Sequence, residues 1–281
     1  MTDQPDPAEP ASRDLPFTVD LRRIHLAVGW IAFGLPLSLI AVSQLPTVCF
    51  HDSISHFYFS PVGGDILVGA LSFIGLLLVG LYSFDAVGCA GARRWTWKDI
   101  LAIRVAGVAA LLVAFVPTAG TGCARAEAES ARAFLNGAGA GGSSFDFWAV
   151  LQGRTVVTGF PLDTVHYGAA GVMFLILAYV VLRVFTRVNS EAAERDGNRK
   201  GLRNACYRVL GRVILGVVAV LGIKMAVGAV APDFLGFWNR LNLTFVLEAA
   251  GLFAFGLAWM IKGRVLSVFE DAAARAQPRA A

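Results

Sequence analysis

The sequence predicts an all-α integral membrane bundle of six transmembrane helices. Three observations carry that reading. Charged residues make up only 16% of the 281-residue chain and hydrophobic ones 56%, with a mean hydropathy of +0.63. Six apolar stretches recur along it, each about 20 residues long, the length that crosses about 30 Å of hydrocarbon as a helix. The basic residues fall mostly on one side of the alternation that six spans impose. A soluble domain carries about 25% charge, whereas each charge moved into hydrocarbon costs at least roughly 2.5–3.5 kcal/mol.

Residues 1–20 are polar and hold Pro5, Pro7, Pro10 and Pro16 with several acids. They lack the basic start and apolar centre of a cleavable signal, so they read as a disordered cytoplasmic tail. A six-helix transmembrane domain follows at 21–264, and residues 265–281 form a second cytoplasmic tail. The spans are expected near 24–43, 65–84, 100–117, 164–185, 207–230 and 242–261, all helical because backbone groups in lipid must bond within their own segment. Pro36 interrupts the first span and should kink it. Small residues at helical spacing suggest close packing at Gly168 with Gly171, Gly222 with Ala226, and Ala250 with Ala254 and Ala258.

Orientation follows from lysine and arginine. With both termini inside, cytoplasmic segments hold eighteen of the 24 basic residues, and outer segments only Arg125, Arg132, Arg154 and Arg240. The connection between the fourth and fifth spans is the richest, from Arg183 to Arg212. This is a topology signal that can also meet anionic lipid. The net charge of +4 is thereby accounted for, and no basic stripe with interleaved aromatics points to nucleic acid. A cell membrane, inner or plasma, is the expected location, and a homo-oligomer is compatible with the composition.

The outer connections are unequal. Residues 44–64 contain Cys49-Phe-His-Asp-Ser-Ile-Ser-His-Phe-Tyr-Phe-Ser-Pro. Residues 118–163 form a long outer loop between the third and fourth helices. It has an Ala-rich part near 124–136, a Gly-rich hinge at 137–142 and an apolar end that could cap the bundle; loops of this length are functional or disordered. Cys49 and Cys123 share the outer side, where a disulfide could join them; Cys89 and Cys206 lie inside as thiols.

Ionisable groups within spans are functional candidates by default. Lys224 and Glu248 each lie about six residues, or roughly 9 Å, from the outer ends of their spans, so an ion pair is expected. His166 opens the fourth span and Asp65 the second. His166 could act as a general base toward Ser53, Ser55 or water. His56, Asp65 and His166 could instead hold a divalent metal, joined by Glu248, since imidazole and carboxylate suit zinc; no His-x-x-x-His spacing supports one, and no cofactor is required. On the inner side, Asp85, Asp99 and Arg104 read as ion pairs or snorkelling groups near span ends.

Ser53-Ile54-Ser55, Val165-His166, and Glu248 followed by Phe253-Ala254-Phe255-Gly256-Leu257-Ala258-Trp259 resemble the signature of a six-span superfamily. It joins uncharacterised bacterial and archaeal membrane proteins to the damage-regulated autophagy modulators and the lipid-remodelling proteins of GPI anchors. The resemblance covers roughly 24–262, with short motifs, and the 118–160 insertion departs from it. It implies six helices, an association with lipid, and Ser53, Ser55, His166 and Glu248 as site residues, to which Asp65 is added from its position. Ceramidase-like hydrolases, built on Ser, Asp and several His around zinc, compare less well because the paired late histidines are missing.

Three function classes stay open. The first is a lipid-binding protein, or a lipid hydrolase or acyl or head-group transferase, with His166, Glu248, Ser55 and Asp65 as catalytic candidates. The second is a transporter or channel with a proton or ion relay through Lys224, Glu248 and His166. The third is a scaffold or sensor without catalysis.

Overall fold

A computed structural model describes residues 21–46, 48–80, 96–116, 118, 162–187 and 198–264. The expected tails, nearly all of the 118–163 loop, Cys89 and Cys123 lie outside the described residues. Helices dominate what is described, and no strand occurs among those residues. They are α1 (Leu21–Val42), α2 (Pro61–Gly80), α3 (Trp97–Phe115), α4 (Leu162–Tyr179), α5 (Asn198–Val230), α6 (Pro232–Arg240) and α7 (Leu243–Lys262). A 3-10 turn, Ser55–Phe59, precedes α2, and α4 continues as a π turn over Val180–Val184.

Five of these helices are long and apolar enough to cross a membrane: Arg22–Val42, Val62–Gly80, Thr164–Val184, Lys200–Val230 and Leu243–Lys262. α3 matches the expected third span but carries Lys98, Asp99 and Arg104 within 19 residues. The charges gather toward its start, where Thr96 and Asp99 form a reciprocal capping box. From Val105 to Phe115 it is uncharged.

Boundaries shift in three places. α2 begins at Pro61, four residues early; proline suits a first helical position because its missing N–H would have no partner there. Asp65 therefore lies one turn inside α2 rather than at its start. α5 begins nine residues early at Asn198, because the basic stretch before the apolar run is itself helical. The short α6 lies in what had read as a connection, and Trp238 Nε1 donates to Thr244 Oγ1 at 2.8 Å to fasten it to α7.

The helices pack as a closed ring, in the order α1, α2, α3, α4, α5, α7 and back to α1. Buried Leu35, Leu39, Leu67, Ile103, Leu177 and Phe255 fill the interior. Large apolar side chains such as Leu76, Ile223 and Val246 face outward, which suits a lipid surrounding.

Glycine sets two of the crossings, though not the glycines whose spacing suggested it. A Cβ on Gly29 would lie 2.9 Å from the Gly256 carbonyl oxygen, and one on Gly256 would lie 2.8 Å from that of Gly29. Gly75 and Gly107 show the same reciprocity, at 2.9 and 2.7 Å. Thus α1–α7 and α2–α3 touch backbone to backbone, as small residues permit in lipid. Gly168, Gly171 and Gly222 face open space, and Ala226 is exposed. Periodicity put those residues on one face each without saying which face meets a neighbour. Ala254 and Ala258 are buried as expected.

Replacing Gly107 with Val should force α2 and α3 apart and cost about 1–3 kcal/mol, the usual range for overpacking. Gly168→Ala should be neutral or slightly stabilising, because it adds helix propensity in open space. Melting temperatures of the two variants in the same detergent check the contrast; equal losses would refute it.

Candidate functional site

One end of the ring is closed by the chain between α1 and α2. This stretch turns inward: His51, Ser53, Ser55, Phe57, Tyr58 and Ser60 are all buried. Its apolar side chains explain the turn. The Phe57 ring lies 4.7 Å from the His51 ring and 6.1 Å from Phe245, and the Phe50 ring lies tilted against Phe245 at 4.8 Å. An irregular stretch drawn inward this way must find hydrogen-bond partners for its backbone and its hydroxyls, and three come from other helices.

The first is Glu248, one turn into α7 and partly buried. Its carboxylate accepts from Ser53 Oγ at 2.9 and 3.1 Å and from the Ile54 N–H at 2.6 Å. The second is the Phe245 N–H, an unpaired donor of the first helical turn, which donates to the Asp52 carbonyl at 2.9 Å. The third is His166, wholly buried in α4. Its Nε2 is 2.9 Å from Ser55 Oγ and its Nδ1 2.6 Å from the Val116 carbonyl oxygen. A carbonyl only accepts, so Nδ1 carries a proton. In the neutral ring Nε2 is then an acceptor facing the Ser55 hydroxyl. The Ser55 N–H donates to Ser53 Oγ at 3.2 Å, which links the two serine contacts.

Chemically, Ser55 has the surroundings of an activated nucleophile. A base lies within hydrogen-bond reach, and a third group fixes that base's tautomer and direction. Below the serine turn lies a cavity of about 40 Å³, lined by Ile54, Ser55, Leu67, Met173, Phe174 and Glu248 among others. Its walls are hydrocarbon apart from the serine and the glutamate. That volume holds a water or two and not a chain, so a larger ligand would have to part the helices.

The structure thus brings together Ser53, Ser55, His166 and Glu248. It does not bring in the other candidates. Asp65 is exposed on α2, and both ring nitrogens of His166 are taken by Val116 and Ser55. Lys224 and Glu248 do not come within the 4 Å of an ion pair; among the described residues Glu248 takes its hydrogen bonds from Ser53 and Ile54 instead. Equal depth on successive helices had suggested the pair, but α7 also packs on α1, and Glu248 turns toward the loop on that side. Among the described residues no group of three or more His, Cys, Asp or Glu side chains gathers as a metal site. Of the metal candidates, His56 Nδ1 is 2.6 Å from Asp52 Oδ1, and His166 is held by Val116 and Ser55. Cys49 is disulfide-bonded, while Cys123 lies outside the described residues; Cys206 is a free thiol.

Asp52 belongs to this end and had not been singled out. Burial alone would raise its pKa, but the hydrogen bond and charge of His56, with Lys224 and His51 behind them, hold it below the ordinary 3.8. The i,i+4 spacing of Asp52 and His56 was the available signal. The Val116 carbonyl and the Phe245 amide had none, since backbone groups carry no residue signature.

No family model, no curated protein and no solved structure matches the chain. Apolar helices of crossing length in a ring with an apolar exterior are those of a membrane-embedded protein. A serine-and-histidine site closes one end of that ring.

Two expectations follow. Glu248→Ala should leave the Ile54 N–H and Ser53 hydroxyl without their acceptor, at about 1–3 kcal/mol for each buried group so stranded. Hydrogen exchange should then quicken across 52–57 while the Asp99 end is unchanged; unaltered protection of the turn would refute the tether. Because the folded pKa of Asp52 is depressed, its contribution is full above pH 3.8 and fades as pH falls through the lower folded value. The melting-temperature gap between the natural protein and Asp52→Asn should therefore shrink on acidification below that point. A gap that widens there would contradict the pairing with His56.

Proposed function

We propose that the chain is a six-span membrane protein with both termini in the cytoplasm, α3 being the sixth span. It binds a lipid at the serine-capped end of the bundle, in the outer half of the bilayer. The resemblance noted above points the same way. The observation that carries the reading is the Ser55 hydroxyl on His166 Nε2, with Nδ1 pinned by Val116. It stands at the edge of a cavity whose walls, Ser55 and Glu248 apart, are apolar.

The reaction class that suits this arrangement is acyl transfer from a lipid ester. Ser55 Oγ would attack the ester carbonyl while its proton passes to His166 Nε2. The alcohol would leave with that proton, and water or a second alcohol would take the acyl group from Ser55. Glu248 and Ser53 would hold the turn and so position Ser55. A relay through Lys224, Glu248 and His166 has less support, because Lys224 and Glu248 form no ion pair within 4 Å. Among the described residues no hydrogen bond joins this end to Asp99 at the other.

The test uses purified protein in nanodiscs of defined phospholipid, with fatty-acid release and retained lipid both measured. Ser55→Ala and His166→Gln should each lower release by about 10²–10⁴-fold, the share of a general base, while lipid remains bound. Undiminished release in Ser55→Ala would eliminate the nucleophile. Lipid retention without release in the natural protein would reduce the reading to binding alone. Absence of both would end it.

A further inference from the structure

At the opposite end of the ring from the serine turn, a groove of about 790 Å³ opens between the end of α4 and the first half of α5. Tyr179, Arg183, Thr186, Arg187, Arg208 and Arg212 line it. The size is that of a small-molecule site, and four of its side chains are guanidinium groups.

One of the four is neutralised. Arg187 binds both carboxylate oxygens of Asp99, the second at 3.0 Å, and Tyr179 donates to the same carboxylate at 2.8 Å. The other three are exposed. Among the described residues Arg183, Arg208 and Arg212 have no carboxylate partner, and no acid lines the groove. Arg208 and Arg212 are one turn apart on α5 and share a face; Arg183 faces them from the π turn that ends α4. The frame is braced rather than loose. Lys200 Nζ donates to the Arg187 carbonyl at 2.6 Å and Asn204 Nδ2 to the Thr186 carbonyl at 3.2 Å. Leu182 packs into the space left by Gly211, whose Cβ would lie 2.4 Å from its Cγ. Three like charges are thus held together across two fixed helices, an arrangement that an anion relieves.

Depth identifies the anion. α5 has 33 residues, so it is about 50 Å long at 1.5 Å per residue, against a hydrocarbon layer of about 30 Å. Counting about 20 residues back from its end at Val230 reaches Gly211. Arg208 and Arg212 therefore flank the level where the helix leaves hydrocarbon, which is the level of lipid phosphates. Arginine matches a phosphate diester in two-toothed fashion, and basic pockets between spans bind anionic head groups.

We propose that this groove binds the phosphate of an anionic phospholipid head group through Arg183, Arg208 and Arg212. The site rests on the chain crossing a membrane and is independent of the serine end. Full-length protein is placed in phosphatidylcholine nanodiscs with and without phosphatidylglycerol, and co-extracted lipid is read by native mass spectrometry. The natural protein should retain phosphatidylglycerol in preference. Arg183→Gln, Arg208→Gln and Arg212→Gln should each weaken retention about fivefold, with unchanged melting temperature because the side chains are exposed. Lys98→Gln, Arg104→Gln and Arg240→Gln together make a control of equal charge that should retain it. Inorganic phosphate, added to protein in neutral detergent, separates the two sources of this chemistry. If phosphate raises the melting temperature of the natural protein but not of the triple Arg variant, and the lipid is not retained, the lipid assignment is overturned in favour of a soluble phosphate. Equal retention by the triple variant, equal loss in the control, or neither ligand binding would overturn the site itself.

Discussion

The Glu248 carboxylate and the 53–55 turn satisfy each other, and the closed end of the bundle depends on it. A carboxylate one turn into an apolar helix needs donors, and a non-helical chain drawn into the bundle's end needs acceptors. One contact answers both needs. With Ser53 and Ile54 held, Ser55 is carried to His166 two residues further on, and the aromatic rings of Phe57 and Tyr58 enter the core behind it. The Phe245 amide repeats the device at the start of the same helix. α7 therefore acts as the wall against which the serine turn is cast.

The two ends of the ring solve related problems by different chemistry. At the serine end hydroxyls, imidazoles and backbone amides and carbonyls surround two carboxylates, Glu248 held by Ser53 and Ile54 and Asp52 by His56. At the Asp99 end the charge is answered directly. Asp99 is wholly buried, caps α3 through Thr96, and takes Arg187 and Tyr179 from the end of α4. That cluster locks α3 to α4. It also removes one arginine from the groove and leaves the remaining three to face outward.

Much of the architecture was legible in the sequence because bilayer thickness and backbone satisfaction leave few choices for long apolar runs. The grouping of Ser53, Ser55, His166 and Glu248 came from the resemblance; from the residues alone, His166 beside Ser53 or Ser55 was legible as a base near a hydroxyl, whereas Glu248 read as the partner of Lys224. Rotation about each helix axis was not legible. At 100° per residue, equal depth says nothing about facing direction, so Lys224 and Glu248 look paired on paper while Glu248 turns to the loop. The same ignorance misassigned the packing glycines. Gly168 and Gly222 have neighbours at the right spacing and point into open space, whereas Gly29 and Gly256 stand far apart in the chain and meet at a crossing. The helical extension of α5 was hidden by its charges, which make a poor span and an ordinary interfacial helix.

Among the described residues the ring closes where α1 meets α7. Gly29 and Gly256 touch there, and the acceptor for the serine turn also arrives on α7. While the chain is being made, α1, the turn and α2 enter the membrane long before residue 248 exists. Until then the hydroxyl of Ser53 and the amide of Ile54 lack the acceptor they have in the finished fold. The serine end is therefore completed only once α7 has been made, and a shorter nascent chain cannot carry it.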